Sequence, residues 1–139
     1  MNPIVRNILA VIVGIILGSV VNFGIIILLS SYIIPLPEGV DPTSMESMKS
    51  SMHLLETRHF ITPFLAHALG TLVGAFSTFL IAANHKMKFA WLIGVLFFID
   101  GIISSFLLPA PAWFIVLDLA GAYIPMAWLG GKLAVIIRK

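Results

Sequence analysis

The chain is predicted to be an all-α integral membrane protein, a four-transmembrane-helix bundle with a short amphipathic extracytoplasmic helix. Three observations predict this. Hydrophobic residues make up 60% of the 139 positions and charged residues only 10%, where a soluble domain carries about 25% charge. The apolar residues fall in four runs long enough to cross a bilayer. Lysine and arginine gather at one end of those runs, the pattern that sets membrane orientation.

The whole chain, residues 1–139, reads as a single membrane domain. The first span covers about 8–34, with only Ser19, Asn22, Ser30 and Ser31 polar in it. At ~1.5 Å per residue it reaches ~40 Å, beyond the ~30 Å hydrocarbon core, so tilt or protrusion is expected. It is too long for a signal peptide and no small-x-small cleavage site follows it. The second span covers about 62–84, with Thr62 as its N-cap and Pro63 at its first helical position. The third covers about 89–108. The fourth, about 112–131, follows Pro109-Ala110-Pro111, a link so short that the last two spans form an antiparallel hairpin. Pro125 inside the fourth should kink it or free a backbone carbonyl.

Arg6, Lys86, Lys88, Lys132, Arg138 and Lys139 lie on one side of the spans, Lys49 and Arg58 on the other. This places both termini in the cytoplasm. Trp91 and Trp128 then fall at the inner interface, Tyr32 and Trp113 at the outer one, an independent aromatic belt.

Between the first two spans lies the one sizeable loop, Pro35 to Ile61. Pro35-Leu36-Pro37-Glu38-Gly39 excludes regular helix. Thr43-x-x-Glu46 then reads as a capping box opening a helix over about 43–57. Met45, Met48, Met52 and Leu55 repeat at helical spacing, so one face of that helix is apolar. Two readings fit this stripe: an amphipathic helix lying on the membrane, or a thioether array with His53 that suits Cu(I). His53, Glu56 and His59 follow at three-residue spacing, a carboxylate and imidazoles on one helix face that could hold a metal. Di-iron bundles need further glutamates from other helices, and the spans contain none.

His67, Asp100 and Asp118 are ionisable residues inside spans, where polar groups mark functional sites by default. Counted along their helices, the three share a depth in the outer half, with Asn22 deeper and Thr71 one turn below His67. These five residues are the expected proton-, cation- or ligand-binding cluster. The competing reading is that they are polar contacts holding helices together. Tyr123, Ser104 and Ser105 are hydroxyls nearby, but no nucleophile stands beside a base at recognisable spacing, so no catalytic residue is assigned.

Ala66, Gly70, Gly74 and Thr78 form a ladder of small residues on the second span, Gly14 and Gly18 one on the first, and Gly94 and Gly101 one on the third. Such stripes allow backbones to approach closely. They make the second span central and leave open a homo-oligomer or a larger membrane complex. There is no cysteine, which removes disulfides and thiolate metal sites. No basic patch with interleaved aromatics points to nucleic acid.

Met52-His53-Leu54-Leu55-Glu56, Pro63-Phe64-Leu65-Ala66-His67-Ala68-Leu69-Gly70, Pro109-Ala110-Pro111-Ala112-Trp113 and Pro125-Met126-Ala127-Trp128-Leu129-Gly130-Gly131 resemble a family of small bacterial membrane proteins of unknown function. The resemblance covers most of the chain and implies a bacterial inner-membrane setting, with no activity and no cofactor attached. The functional expectation is a transport-related protein that binds a proton or cation at the His/Asp cluster. The alternatives are an accessory subunit of a membrane assembly, extracytoplasmic copper or other metal handling, and an intramembrane lipid-modifying enzyme.

Overall fold

A computed structural model describes residues 1–139. All of the regular structure is helical, and four helical stretches are long and apolar enough to cross a membrane: Pro3–Ile33, Thr57–Ile81, Lys86–Leu107 and Ala112–Ile137. That is the make-up of a multi-pass membrane protein. Its two faces are called here the terminal end, where both termini lie, and the loop end, which carries Pro35–Phe60.

Helix α1 (Pro3–Leu28) begins five residues before the expected start. Asn2 caps it by accepting the Ile4 N–H at 2.8 Å, and Pro3 takes the first helical position, where its missing N–H costs nothing. The polar start is used in docking. The Arg6 side chain donates to the Ile81 carbonyl at 2.6 Å, and Asn7 joins the Ala83 N–H and the Asn84 side chain. Together they tie the first helix to the turn that follows the second span. At its other end α1 widens into a π turn, Leu29–Ile33, and stops at Ile34, whose conformation the following Pro35 restricts.

The loop helix is shorter than predicted. Helix α2 covers only Met45–Ser51, followed by 3₁₀ turns at Met52–Leu54 and Thr57–Phe60. Ser44, not Thr43, is its N-cap, accepting from the Ser47 N–H at 3.2 Å. The reason is Asp41. Its carboxylate takes both the Thr43 N–H and the Thr43 hydroxyl, at 2.9 and 2.7 Å, and so holds Thr43 in a turn. Those bonds favour the charged form and hold the Asp41 carboxyl below its ordinary range.

The second span starts through the Thr57–Phe60 turn and becomes α3 (Ile61–Ile81). Thr62 is therefore not a cap. Pro63 sits at the third helical position, still among the first N–H positions that have no intrahelical partner, so the helix runs through it unbroken. Helix α4 (Lys86–Leu107) follows a four-residue turn in which His85 adopts a left-handed conformation, φ 45°. The fourth span divides into α5 (Ala112–Gly121) and α6 (Ile124–Ile137). Pro125, second residue of α6, cannot donate back to the Gly121 carbonyl, and the break expected of it falls at Ala122-Tyr123.

Helix α3 is central, as its small residues predict, packing on α1, α4 and α6. The α1–α3 contact is a reciprocal glycine seam. A Cβ on Gly14 would lie 2.8 Å from the Gly74 carbonyl oxygen, and one on Gly18 would lie 2.7 Å from that of Gly70. Thr78 locks the seam by donating to the Gly74 or Ala10 carbonyl, at 2.8 and 3.2 Å. Elsewhere Gly94 receives Ala127, and Gly101 receives the ring of Tyr123. These stripes are thus occupied within one chain. The core is Ala75, Phe79, Ala90, Ile93, Ala127 and Ala134, small residues that bring helices close with Phe79 and Ile93 filling the middle.

Candidate functional site

Near the loop end the helices part around a cavity of about 190 Å³. Its walls come from the end of α1, from α3, α4 and α5, and the loop residues Leu36, Pro42, Met48, Met52 and Leu55 complete it. Helix breaks create this space. The Pro109–Pro111 link ends α4, and the α5–α6 break stops the fourth span from packing as one rod. Most of the lining is apolar, and its polar groups include His67, Asp118, Ser104 and Ser105.

His67 and Asp118 are brought together. His67 Nδ1 lies 2.8 and 3.0 Å from the two carboxylate oxygens of Asp118, so Nδ1–H donates to the carboxylate. Tyr123 donates its hydroxyl to Asp118 Oδ2 at 3.0 Å. The Tyr123 ring also stacks on the His67 ring, with centroids 5.6 Å apart and planes inclined by 25°. The Asp118 side chain is 7% exposed and that of His67 23%. A buried carboxylate therefore receives two donors from two other elements, which satisfies it and fixes the imidazole. With Nδ1–H committed, His67 Nε2 makes no bond to the protein.

Each element contributes for a local reason. His67 lies one residue beyond Ala66 on α3, about 100° round the helix from the seam that faces α1, and so turns toward α5. Asp118 is in the last turn of α5, on the face shared with Phe114. Tyr123 reaches back to Asp118 because the helix breaks between them; in an unbroken helix, residues five apart do not face each other. Tyr123 is the residue that sequence reasoning undervalued. Its signal was the proline two residues later.

The other expected members of the cluster stand apart. Asp100 is exposed on α4 and makes no hydrogen bond with His67, Asp118 or Tyr123. The sequence gives its depth, but its direction is set by rotation about the helix. Gly94 and Gly101 face inward two turns apart, and Asp100 precedes Gly101 by one position, about 100° away. Asn22 packs against Gly70, and its side-chain oxygen is buried without a partner. Thr71 is fully buried, likewise with an unbonded hydroxyl, and neither lines the cavity. Thr62, which does line it, also has a buried hydroxyl without a partner.

Asp100 gives a direct test of this placement. A carboxylate at the centre of a span disfavours insertion by about 3 kcal/mol. Asp100→Leu is expected to raise the membrane insertion of α4, read by a glycosylation reporter, by roughly that amount, and to leave the unfolding temperature of the purified protein unchanged. A drop in that temperature would mean that Asp100 holds a contact in the folded bundle.

The loop residues singled out for metal binding are dispersed. Met45 and His53 are exposed, whereas Met52 is buried and Met48 half-buried, both against the cavity. His59 is buried with both nitrogens engaged: Nδ1 accepts from the Glu56 N–H at 2.8 Å, and Nε2–H donates to the Pro35 carbonyl at 3.2 Å. Glu56 pairs with Arg58 at 3.1 Å. No three His, Asp or Glu side chains anywhere in the chain converge as a metal site would require. His59 instead fastens the loop across 24 residues, from Pro35 to the head of α3.

No family model matches the chain, and no curated protein or solved structure is significantly similar to it.

Proposed function

We propose that this chain is a multi-pass protein of a bacterial inner membrane, with both termini cytoplasmic, whose His67–Asp118 pair binds and releases a proton at the floor of an outward-facing cavity. The observation that carries the reading is the pair itself. A carboxylate fixes Nδ1–H of an imidazole, and the second nitrogen stays free beside a cavity. That arrangement orients the ring and fixes its tautomer. Imidazole is the side chain suited to exchanging a proton near neutral pH. Tyr123 holds the other carboxylate oxygen, so that Asp118 keeps its place whichever form His67 takes.

The orientation rests on charge: of the eight lysines and arginines, six lie at the terminal end and two in the loop. Proton binding is favoured over cation binding because both Asp118 oxygens are already occupied by donors and no other carboxylate lies within hydrogen-bonding reach of His67. The reading of the pair as a structural contact between α3 and α5 differs in one respect: it assigns no use to the free Nε2.

The test is the tautomer. Solid-state ¹⁵N NMR of histidine-labelled protein in bilayers should show His67 with protonated Nδ1 and unprotonated Nε2 in its neutral form. Asp118→Leu should reverse this toward the Nε2–H form. A wild-type ring already in that form would sink the proposal.

A further inference from the structure

The cavity over the His67–Asp118 pair is selective in both size and chemistry. An apolar cavity of about 150 Å³ accommodates benzene, so one of about 190 Å³ accommodates a six-membered ring with one or two substituents. Phe60, Phe114, Leu108 and Leu119 supply apolar wall around that volume. Burial of a ring there is favourable at about 25 cal/mol per Å² of apolar surface.

The floor decides which ring. His67 Nε2 is left without a protein partner, while Nδ1–H is held by Asp118. In a neutral imidazole with Nδ1 protonated, Nε2 is an acceptor. The complementary group is therefore a hydrogen-bond donor on the ligand. An anionic ligand would meet Asp118 and has no lysine or arginine in the cavity lining to offset it. A cationic one would find both Asp118 oxygens already engaged by His67 and Tyr123. A neutral hydroxyl meets neither obstacle. The helices that line the cavity belong to apolar spans, so a lipid-soluble molecule concentrates in the bilayer around it.

We propose that this cavity binds the ring of a neutral, lipid-soluble phenol-type molecule, its hydroxyl donating to His67 Nε2. The proposal rests on the Nδ1–H arrangement argued above and names the ligand class of that same site. Proton exchange at His67 then takes place against a bound hydroxyl.

The experiment uses full-length, ¹⁵N-histidine-labelled protein in lipid nanodiscs, titrated with p-cresol, 4-methylanisole and toluene at matched concentrations in the bilayer. The three share a ring and differ in the donor. p-Cresol is expected to move the His67 Nε2 resonance at a concentration at least tenfold below that of the other two. Ile115→Trp, which places bulk in the cavity, should abolish the response while the Nδ1–H signal persists. Equal responses to all three, or to none, with Nδ1–H intact would overturn the ligand assignment alone. An unliganded ring without a proton on Nδ1 would remove the underlying pair and this proposal with it.

Discussion

Gly14→Ala is expected to destabilise the bundle by about 1–3 kcal/mol, the usual range for overpacking, although alanine is a better helix former than glycine by about 1 kcal/mol. The added methyl would lie 2.8 Å from the Gly74 carbonyl oxygen and 3.2 Å from Ile93 Cδ1. It would also strike the Thr78 hydroxyl. The carbonyl belongs to a helix that cannot yield locally, so α1 must move off α3 as a whole. That separation breaks the Thr78–Ala10 bond and opens the neighbouring Gly18–Gly70 contact. In lipid no hydrophobic force restores such a contact, because close packing itself drives the association. Gly24→Ala is the control: a Cβ there has nothing within 4 Å. It should be neutral or slightly stabilising. Unfolding of the two variants in mild detergent, followed by circular dichroism and limited proteolysis, decides the matter. Equal stabilities would show that the seam is not what holds α1.

Much of this architecture is legible in the sequence, for physical reasons that also mark where legibility ends. Spans can be read because long apolar runs leave few alternatives. Helix α1 starts earlier than its apolar run because Arg6 and Asn7, which look like flanking polar residues, bond to Ile81, Ala83 and Asn84 far along the chain. The loop helix is shorter than its apolar stripe, which continues through Met52, because Leu55 and Glu56 are extended. Periodicity describes a face and does not say where it ends. Depth can be counted at 1.5 Å per residue, which is how His67 and Asp118 were placed at one level. Azimuth needs a reference. On α4 the inward reference is Gly94 and Gly101; Ser104 and Ser105 lie within about 60° of it, whereas Asp100, about 100° away and one turn from Ser104, falls at the edge of that face. Tyr123 required the helix break, which Pro125 signals without giving its angle.

Asp118→Leu carries the second large expected effect, because it acts on two donors at once. Leucine removes the acceptor of the His67 Nδ1–H and of the Tyr123 hydroxyl. Tyr123 is 3% exposed, with its ring against Gly101, so its hydroxyl has no water to turn to. A buried donor left unsatisfied costs about 1–3 kcal/mol. Two effects oppose this. Leucine relieves the burial of a carboxylate, and hydrogen bonds between membrane helices average only about 0.6 kcal/mol by double-mutant cycle. The orphaned hydroxyl decides the sign, so Asp118→Leu should destabilise by about 1–3 kcal/mol. Tyr123→Phe alone should cost less, since Asp118 keeps His67. The double variant Asp118→Leu/Tyr123→Phe should be more stable than the sum of the two losses by at least about 0.5 kcal/mol, the lower bound for groups in contact. Reversible unfolding of all four proteins measures that coupling. Strict additivity would mean that the Tyr123–Asp118 bond contributes nothing to stability, leaving the ring stacking on His67 as Tyr123's only contribution to the pair.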